Sequence, residues 1–153
     1  MKRVLFWGAD RFSALSFQSF LKHCKHLEAI EIITNQAKSQ LAAVAGSNSV
    51  HLYPPKSLSG YNFDFARFDL GIVSSFALFI PPRIISELPL INIHPSLLPR
   101  WRGPAPIQYT ILEGDSKAGV SLIDLHPKEI DAGNVLMQKE HEIGGNMNYL
   151  QLE

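Results

Sequence analysis

Cysteine is almost missing from this chain, with Cys24 the only one, so no internal disulfide framework can exist and a reducing compartment such as cytosol or organelle matrix fits. The plain expectation for Cys24 is a half-buried thiol on a helix. A surplus of either charge is missing too: Lys plus Arg and Asp plus Glu are 14 each. No overall positive field is therefore available to hold nucleic acid through its phosphates, and any RNA contact has to come from a local patch. Long apolar runs are lacking, since none approaches the ~20 residues needed to span a bilayer, and no signal-peptide pattern precedes the first strand-like segment. A soluble protein with no membrane partner is expected, although a removed transit peptide would leave no trace. Repeats, low-complexity tracts and interdomain linkers are also missing. What remains is an ordinary globular composition, 46% hydrophobic and 18% charged over 153 residues, enough for one domain with a sizeable core.

Short apolar runs rich in strand formers alternate with helix-length segments. Val4 to Gly8 reads as a buried strand closed by glycine, residues 13 to 27 as a helix, and Ala29 to Ile33 as strand again. Between Asn35 and Ser49 the alanine-rich stretch Leu41 to Ala45 reads as one helix or as a loop. After Val50 to Tyr53, Pro54-Pro55 should stop regular structure, because proline has no amide to donate. Asp69 to Val73 resumes as strand, Pro81 to Leu88 reads as a short helix with proline in its first turn, and Leu90 to His94 as a further strand. Val120 to Leu125 and Val135 to Gln138 read as two more strands, and Gly144 to Leu150 as a turn entering a helix. This alternation predicts an α/β fold with a Rossmann-like, doubly wound, mostly parallel sheet and helices on both faces. In such sheets ligands bind beyond the carboxyl ends of the strands, which makes His94-Pro95-Ser96 the place to look.

Asn92, His94 and Ser96 alternate along an extended segment, so if it stays extended their side chains share one face while Ile91 and Ile93 point into the core. Such a pattern fits a satisfied polar strand edge as well as a site. The stretch from Ser96 to Pro106 carries three prolines and a glycine before α-helix could start, and should form an ordered loop with unladdered amides and carbonyls able to bind a heterocycle. Asp131 falls in a turn beside Gly133, where aspartate ordinarily bonds neighbouring backbone amides. His23, His26, His51, His126 and His141 show no metal-ligand spacing with one another, and no metal is expected.

Taken together, Asn92-Ile93-His94-Pro95-Ser96-Leu97-Leu98-Pro99-Arg100-Trp101-Arg102-Gly103-Pro104-Ala105-Pro106 with Ile130-Asp131-Ala132-Gly133 resembles the signature of the 10-formyltetrahydrofolate-dependent formyltransferases. The resemblance runs from the opening strand through Phe76 to Pro81 and on to Gln138, and Arg100 to Gln108 is most similar to the members that formylate charged initiator methionyl-tRNA. It implies that Asn92 and His94 donate to the oxyanion of formyl transfer, while Asp131 holds His94 in a donating state and helps remove the proton of the attacking amine, directly or through water. It further implies that 10-formyltetrahydrofolate is the co-substrate, with Ser96, Leu97, Leu98 and Pro99 as the loop at the folate site and Phe76, Leu78 and Ile80 lining a pterin pocket. Three departures bear on the acceptor. The chain ends at Glu153, before the β-barrel domain that follows in full-length members, which suggests a catalytic domain cut short; Lys38 is the only charged residue from Thr34 to Ser49, where bacterial members have a basic loop. His126 to Glu129 and Gly8 to Ser13 resemble mitochondrial members. The expectation is a monomer of the mitochondrial matrix, or of a bacterial cytoplasm, that binds tRNA weakly. The alternatives are a non-catalytic folate-binding isoform, or an enzyme with another acceptor.

Overall fold

The computed structural model describes residues 2–47, 51–53, 57–58 and 62–153. The expectations for Val50 and for Pro54-Pro55 lie outside the described residues. Two compact units emerge, Met1–Ile91 and Asn92–Glu153.

The first unit is built on β1 (Lys2–Gly8), α1 (Arg11–His23), β2 (Leu27–Ile33), α2 (Gln40–Ser47), β3 (His51–Tyr53), a 3-10 turn (Phe65–Arg67), β4 (Leu70–Ser74) and α3 (Pro82–Glu87). Its strands lie in the order β3-β2-β1-β4, every pairing parallel, with β1 set against β2 from Arg3↔Ala29 to Trp7↔Ile33 and against β4 from Val4↔Leu70 to Gly8↔Ser74. Order reverses about β1, as doubly wound sheets require, and burial of both faces explains why Val4 to Gly8 is a continuous buried run rather than an alternating one. Phe6, Trp7, Phe17, Ile32, Ile33 and Leu41 form the heart of this core.

Helix α1 starts where Asp10 caps it: the Asp10 carboxylate accepts from Ser13 N while the Ser13 hydroxyl accepts from Asp10 N, a reciprocal capping box. It ends at His23, earlier than periodicity suggested, and Leu27 belongs to β2. Cys24 is the C-cap of α1 and is exposed, so the half-buried helical thiol is corrected. The stretch that could have been helix or loop is helical as α2. Proline occupies the first turn of α3, where its missing amide costs nothing.

The fifth strand, β5 (Leu90–His94), carries the chain out of the first unit. The second unit continues with α4 (Pro106–Leu112), β6 (Lys117–Asp124), β7 (Val135–Glu142) and one turn of helix, α5 (Tyr149–Leu152), capped by Asn148. Strands β6 and β7 are antiparallel, from Lys117↔Glu142 to Ile123↔Val135. The fold is therefore mixed α/β with mostly parallel pairing.

The sequence expectation for β5 is corrected in one respect. Ile91 and Ile93 are only half-buried, whereas His94 and Ser96 are buried, and the strand ends at His94 so that Ser96 lies in a bend. Burying these polar groups is tolerable because each is hydrogen-bonded, as the site geometry makes plain.

Candidate active site

Asn92 and His94 leave the end of β5, and the backbone then doubles back through an irregular segment to α4. Trp101, Gly103 and Ala105 along it have φ of 61°, 83° and 59°. Left-handed backbone is costly for a non-glycine residue and persists only where surrounding contacts over-determine it. Here it aims two main-chain groups inward: the Trp101 carbonyl lies 2.8 Å from His94 Nε2, and the Gly103 amide donates to Asp131 Oδ2 at 2.9 Å. A carbonyl can only accept, so His94 Nε2 carries the proton.

Asp131 sits in the turn between β6 and β7 with φ of 49°. Its carboxylate makes none of the local turn bonds its position suggested. Instead Oδ1 accepts from Asn92 Nδ2 at 2.9 Å across 39 residues of sequence, Oδ2 accepts from Gly103, and Oδ2 lies 3.4 Å from His94 Nδ1. The side chains of His94 and Asp131 are 5% and 11% exposed, so a mostly dry carboxylate faces the imidazole. Local turn bonding falls to Asp124, whose carboxylate accepts from the backbone and side-chain amides of Asn134. Asn92 spends one of its two amide hydrogens on Asp131.

The loop beyond His94 is pinned from below. The Ser96 hydroxyl donates to the Arg100 carbonyl at 2.7 Å, and the Leu98-Pro99 peptide bond is cis. Sequence reasoning passed over Ser121 on β6, which is fully buried: its hydroxyl donates to the Ser96 carbonyl at 2.6 Å and accepts from Leu98 N at 3.1 Å and Gln138 Nε2 at 2.9 Å. Gln138 on β7 also donates to the Leu98 carbonyl at 2.8 Å. Polar identity at an inward strand position could have flagged Ser121, whereas Gln138 lies on the exposed strand β7. Ser121→Ala strands a buried amide and a buried carbonyl, and is expected to lower stability by about 2 kcal/mol in urea unfolding.

Leu97 is half-buried, Leu98 buried and Pro99 exposed. Phe76, Leu78 and Ile80 belong to the first unit, just beyond the carboxyl end of β4. Ile80 is buried, Leu78 half-buried, and Phe76 meets the Trp7 ring edge-on at 5.4 Å.

Asp115 is a further unforeseen participant. It accepts from Arg100 Nε and Nη2 at 2.9 and 2.7 Å and from Trp101 Nε1 at 2.7 Å. Hydrogen bonding by Arg100, then by Trp101, holds the Asp115 carboxyl below its usual range, and Asp115 in turn raises Arg100. A carboxyl depressed in the folded state contributes stability that is fully present above the unfolded pKa of about 3.9 and is lost as pH falls through the folded value. The excess urea midpoint of wild type over Asp115→Asn should therefore stay constant from neutral pH to mildly acidic pH and close below pH about 4.

A family model described as formyl transferase matches residues 3–152. This chain belongs to the formyl transferase family. The mitochondrial methionyl-tRNA formyltransferase of Rattus norvegicus is 35% identical over 150 residues, covering 90% of this chain and 37% of that protein. The methionyl-tRNA formyltransferase of Wolbachia sp. subsp. Drosophila simulans (strain wRi) is 35% identical over 166 residues, covering 98% of this chain and 54% of that protein. The chain thus spans from about a third to just over half the length of these curated relatives. Among solved structures, glycinamide ribonucleotide transformylase 1 from Symbiobacterium toebii superposes with a TM-score of 0.84 at 19% identity, over 99% of this chain and 78% of that one. A 4-N formyltransferase from Francisella tularensis superposes with a TM-score of 0.76 at 21% identity, over 99% and 62%. These superpositions show that the fold is that of the formyltransferases. Among the described residues, no group of three or more His, Cys, Asp or Glu could hold a metal ion, and no helix is long and apolar enough to cross a membrane.

Proposed function

We propose that this chain transfers a formyl group from 10-formyltetrahydrofolate to the amino group of charged initiator methionyl-tRNA, with Asn92, His94 and Asp131 as the catalytic residues. The observation that carries the reading is the Asp131 carboxylate, held in left-handed backbone between Asn92 Nδ2 and the Gly103 amide and facing His94. Formyl transfer needs three things at one place: a donor for the charge that develops on the formyl oxygen, a proton acceptor for the attacking amine, and fixed geometry between them. The remaining amide hydrogen of Asn92 supplies the first; His94, expected to donate as well, has its Nε2 hydrogen on the Trp101 carbonyl and leaves that part to Asn92. The carboxylate of Asp131, with His94 beside it, supplies the second, directly or through water. The amine nitrogen gains the formyl carbon and loses a proton, and the folate nitrogen that gave up the formyl group regains one. Ser96 to Pro99 are assigned to the folate site, together with Phe76, Leu78 and Ile80 as pterin-lining residues.

The named acceptor rests on 35% identity to methionyl-tRNA formyltransferases of a mitochondrion and of a bacterium. With Lys38 the one charged residue from Thr34 to Ser49, the grip on the tRNA acceptor end is weak. A mitochondrial matrix location is our reading, a bacterial cytoplasm its alternative, and imaging of the tagged protein distinguishes them in a eukaryotic source.

The test is acceptor profiling at high protein concentration with 10-formyltetrahydrofolate and, in parallel, charged initiator methionyl-tRNA, a glycinamide ribonucleotide, an amino sugar nucleotide and water. Formylmethionyl-tRNA as the main product is expected. Transfer to another acceptor but not to methionyl-tRNA overturns the acceptor, and folate binding in calorimetry with no transfer to any acceptor overturns the enzyme.

A further inference from the structure

Helix α4 ends in a way that fixes one side chain very firmly. Gly114 takes φ of 64° and donates its amide to the Ile111 carbonyl, while the Asp115 amide donates to the Thr110 carbonyl. These paired bonds are a Schellman motif with Asp115 just past the glycine, so the position of Asp115 is set by the helix rather than by the loop it grips. From that anchor its carboxylate takes two hydrogen bonds from Arg100 and one from the Trp101 indole. The Arg100 guanidinium lies 4.2 Å over the Trp101 ring, and Trp101 stacks on Tyr109 of α4 at 5.4 Å with the planes 15° apart. The indole is thus held at its edge and on its faces.

A surface ion pair by itself contributes little, and Arg100 is 54% exposed on its side chain. Geometry is where this one matters, because a forked charge pair combined with the indole N–H admits very few orientations. Trp101 is the residue forced to a φ of 61°, and its carbonyl is the group on His94 Nε2. The Arg100 carbonyl, one residue earlier, takes the Ser96 hydroxyl. The side chains of both residues are clamped by Asp115 and their main-chain oxygens serve the site.

We propose that Asp115 is a positioning residue for formyl transfer: by clamping Trp101 and Arg100 it keeps the Trp101 carbonyl on His94 Nε2 and so sets the tautomer and orientation of the imidazole. The role of the imidazole in the reaction rests on the function proposed above; its orientation by Asp115 does not. Around His94 the charged group in contact is Asp131 at Nδ1, and Arg100 and Asp115 act on it through Trp101.

Two readouts on the whole chain test this in Asp115→Ala, Asp115→Asn and Trp101→Phe. Trp101→Phe removes the indole N–H together with the five-membered ring while keeping a smaller ring to stack, and Asp115→Asn keeps an acceptor oxygen for the indole while giving up the charge. In the first readout, ¹⁵N spectra of labelled histidine should show His94 protonated at Nε2 in wild type and drifting toward a mixture of ring tautomers in Asp115→Ala and Trp101→Phe, with Asp115→Asn partly restored. In the second, kcat should fall about tenfold in the same two variants, as expected for a small misplacement of a reacting group. Binding of 5-formyltetrahydrofolate should change by less than about twofold, which separates a kcat effect from a binding effect. Unaltered His94 spectra and unaltered kcat beside a lowered melting temperature overturn the proposal and leave Asp115 a structural clamp. If Asp115→Ala does not fold, Trp101→Phe and Asp115→Asn decide by the same measures. If wild type formylates no acceptor, the functional reading falls, and the His94 spectra alone support or overturn the positioning claim.

Discussion

Asp131→Asn is expected to fold and to lose formyl transfer by about a hundred- to ten-thousandfold, the range for removing a general base and its electrostatic support. The substitution is informative because little else changes. Asparagine is nearly isosteric and, like aspartate, enters left-handed backbone comparatively easily, so the φ of 49° does not by itself unfold the variant. What changes is the hydrogen-bonding sense. Both carboxylate oxygens now accept, one from Asn92 Nδ2 and the other from the Gly103 amide. An asparagine presents one oxygen and one NH₂ group, so whichever way it turns, a donor meets a donor and one of those bonds is lost. The cost of that mismatch should be about 1–3 kcal/mol. The negative charge beside His94 disappears at the same time, and this drives the kinetic loss. The measurement is single-turnover formyl transfer beside a urea unfolding curve. Transfer within a few-fold of wild type would remove Asp131 from the chemistry.

Gly133→Ala is expected to damage both the fold and the site, although Gly133 is none of the three proposed catalytic residues. A Cβ at this position would lie 1.8 Å from the Asp124 carbonyl oxygen and 2.4 Å from Asp124 Oδ1. The first of these is backbone and cannot swing aside, so the turn between β6 and β7 has to open. Forced overpacking of this kind costs about 3 kcal/mol. The turn carries Asp131 two residues earlier, and displacing its carboxylate by about 1 Å should lower transfer about a hundredfold. Circular dichroism melts and transfer rates check the two effects separately. A variant that is destabilised yet transfers normally would show that Asp131 is held by its own three contacts rather than by the turn.

Much of this architecture was legible from local rules. Continuous apolar runs such as Val4 to Gly8 announce strands buried on both faces, and proline ahead of Arg83 announces a helix start. The proline-rich stretch after Ser96 is irregular for the reason given by its composition. Boundaries were harder, as with α1, whose end at His23 depends on contacts rather than on periodicity. The faces of β5 were misjudged because an alternating pattern assumes one wet face. At a strand's end, with a loop folded over it, His94 and Ser96 can be buried provided their polar atoms find partners.

The sequence by itself determined the α/β alternation, the place to search at the end of β5 and, through a long and specific signature, the family. Those signals are local, written in periodicity, turn chemistry and contiguous motifs. Only the tertiary structure decided which distant groups meet: Asp131 with Asn92, Ser121 with both sides of the signature loop, and Asp115 with the residue whose carbonyl holds His94. No local rule could reveal these pairings, because each joins residues many positions apart that only the folded backbone brings within hydrogen-bonding distance.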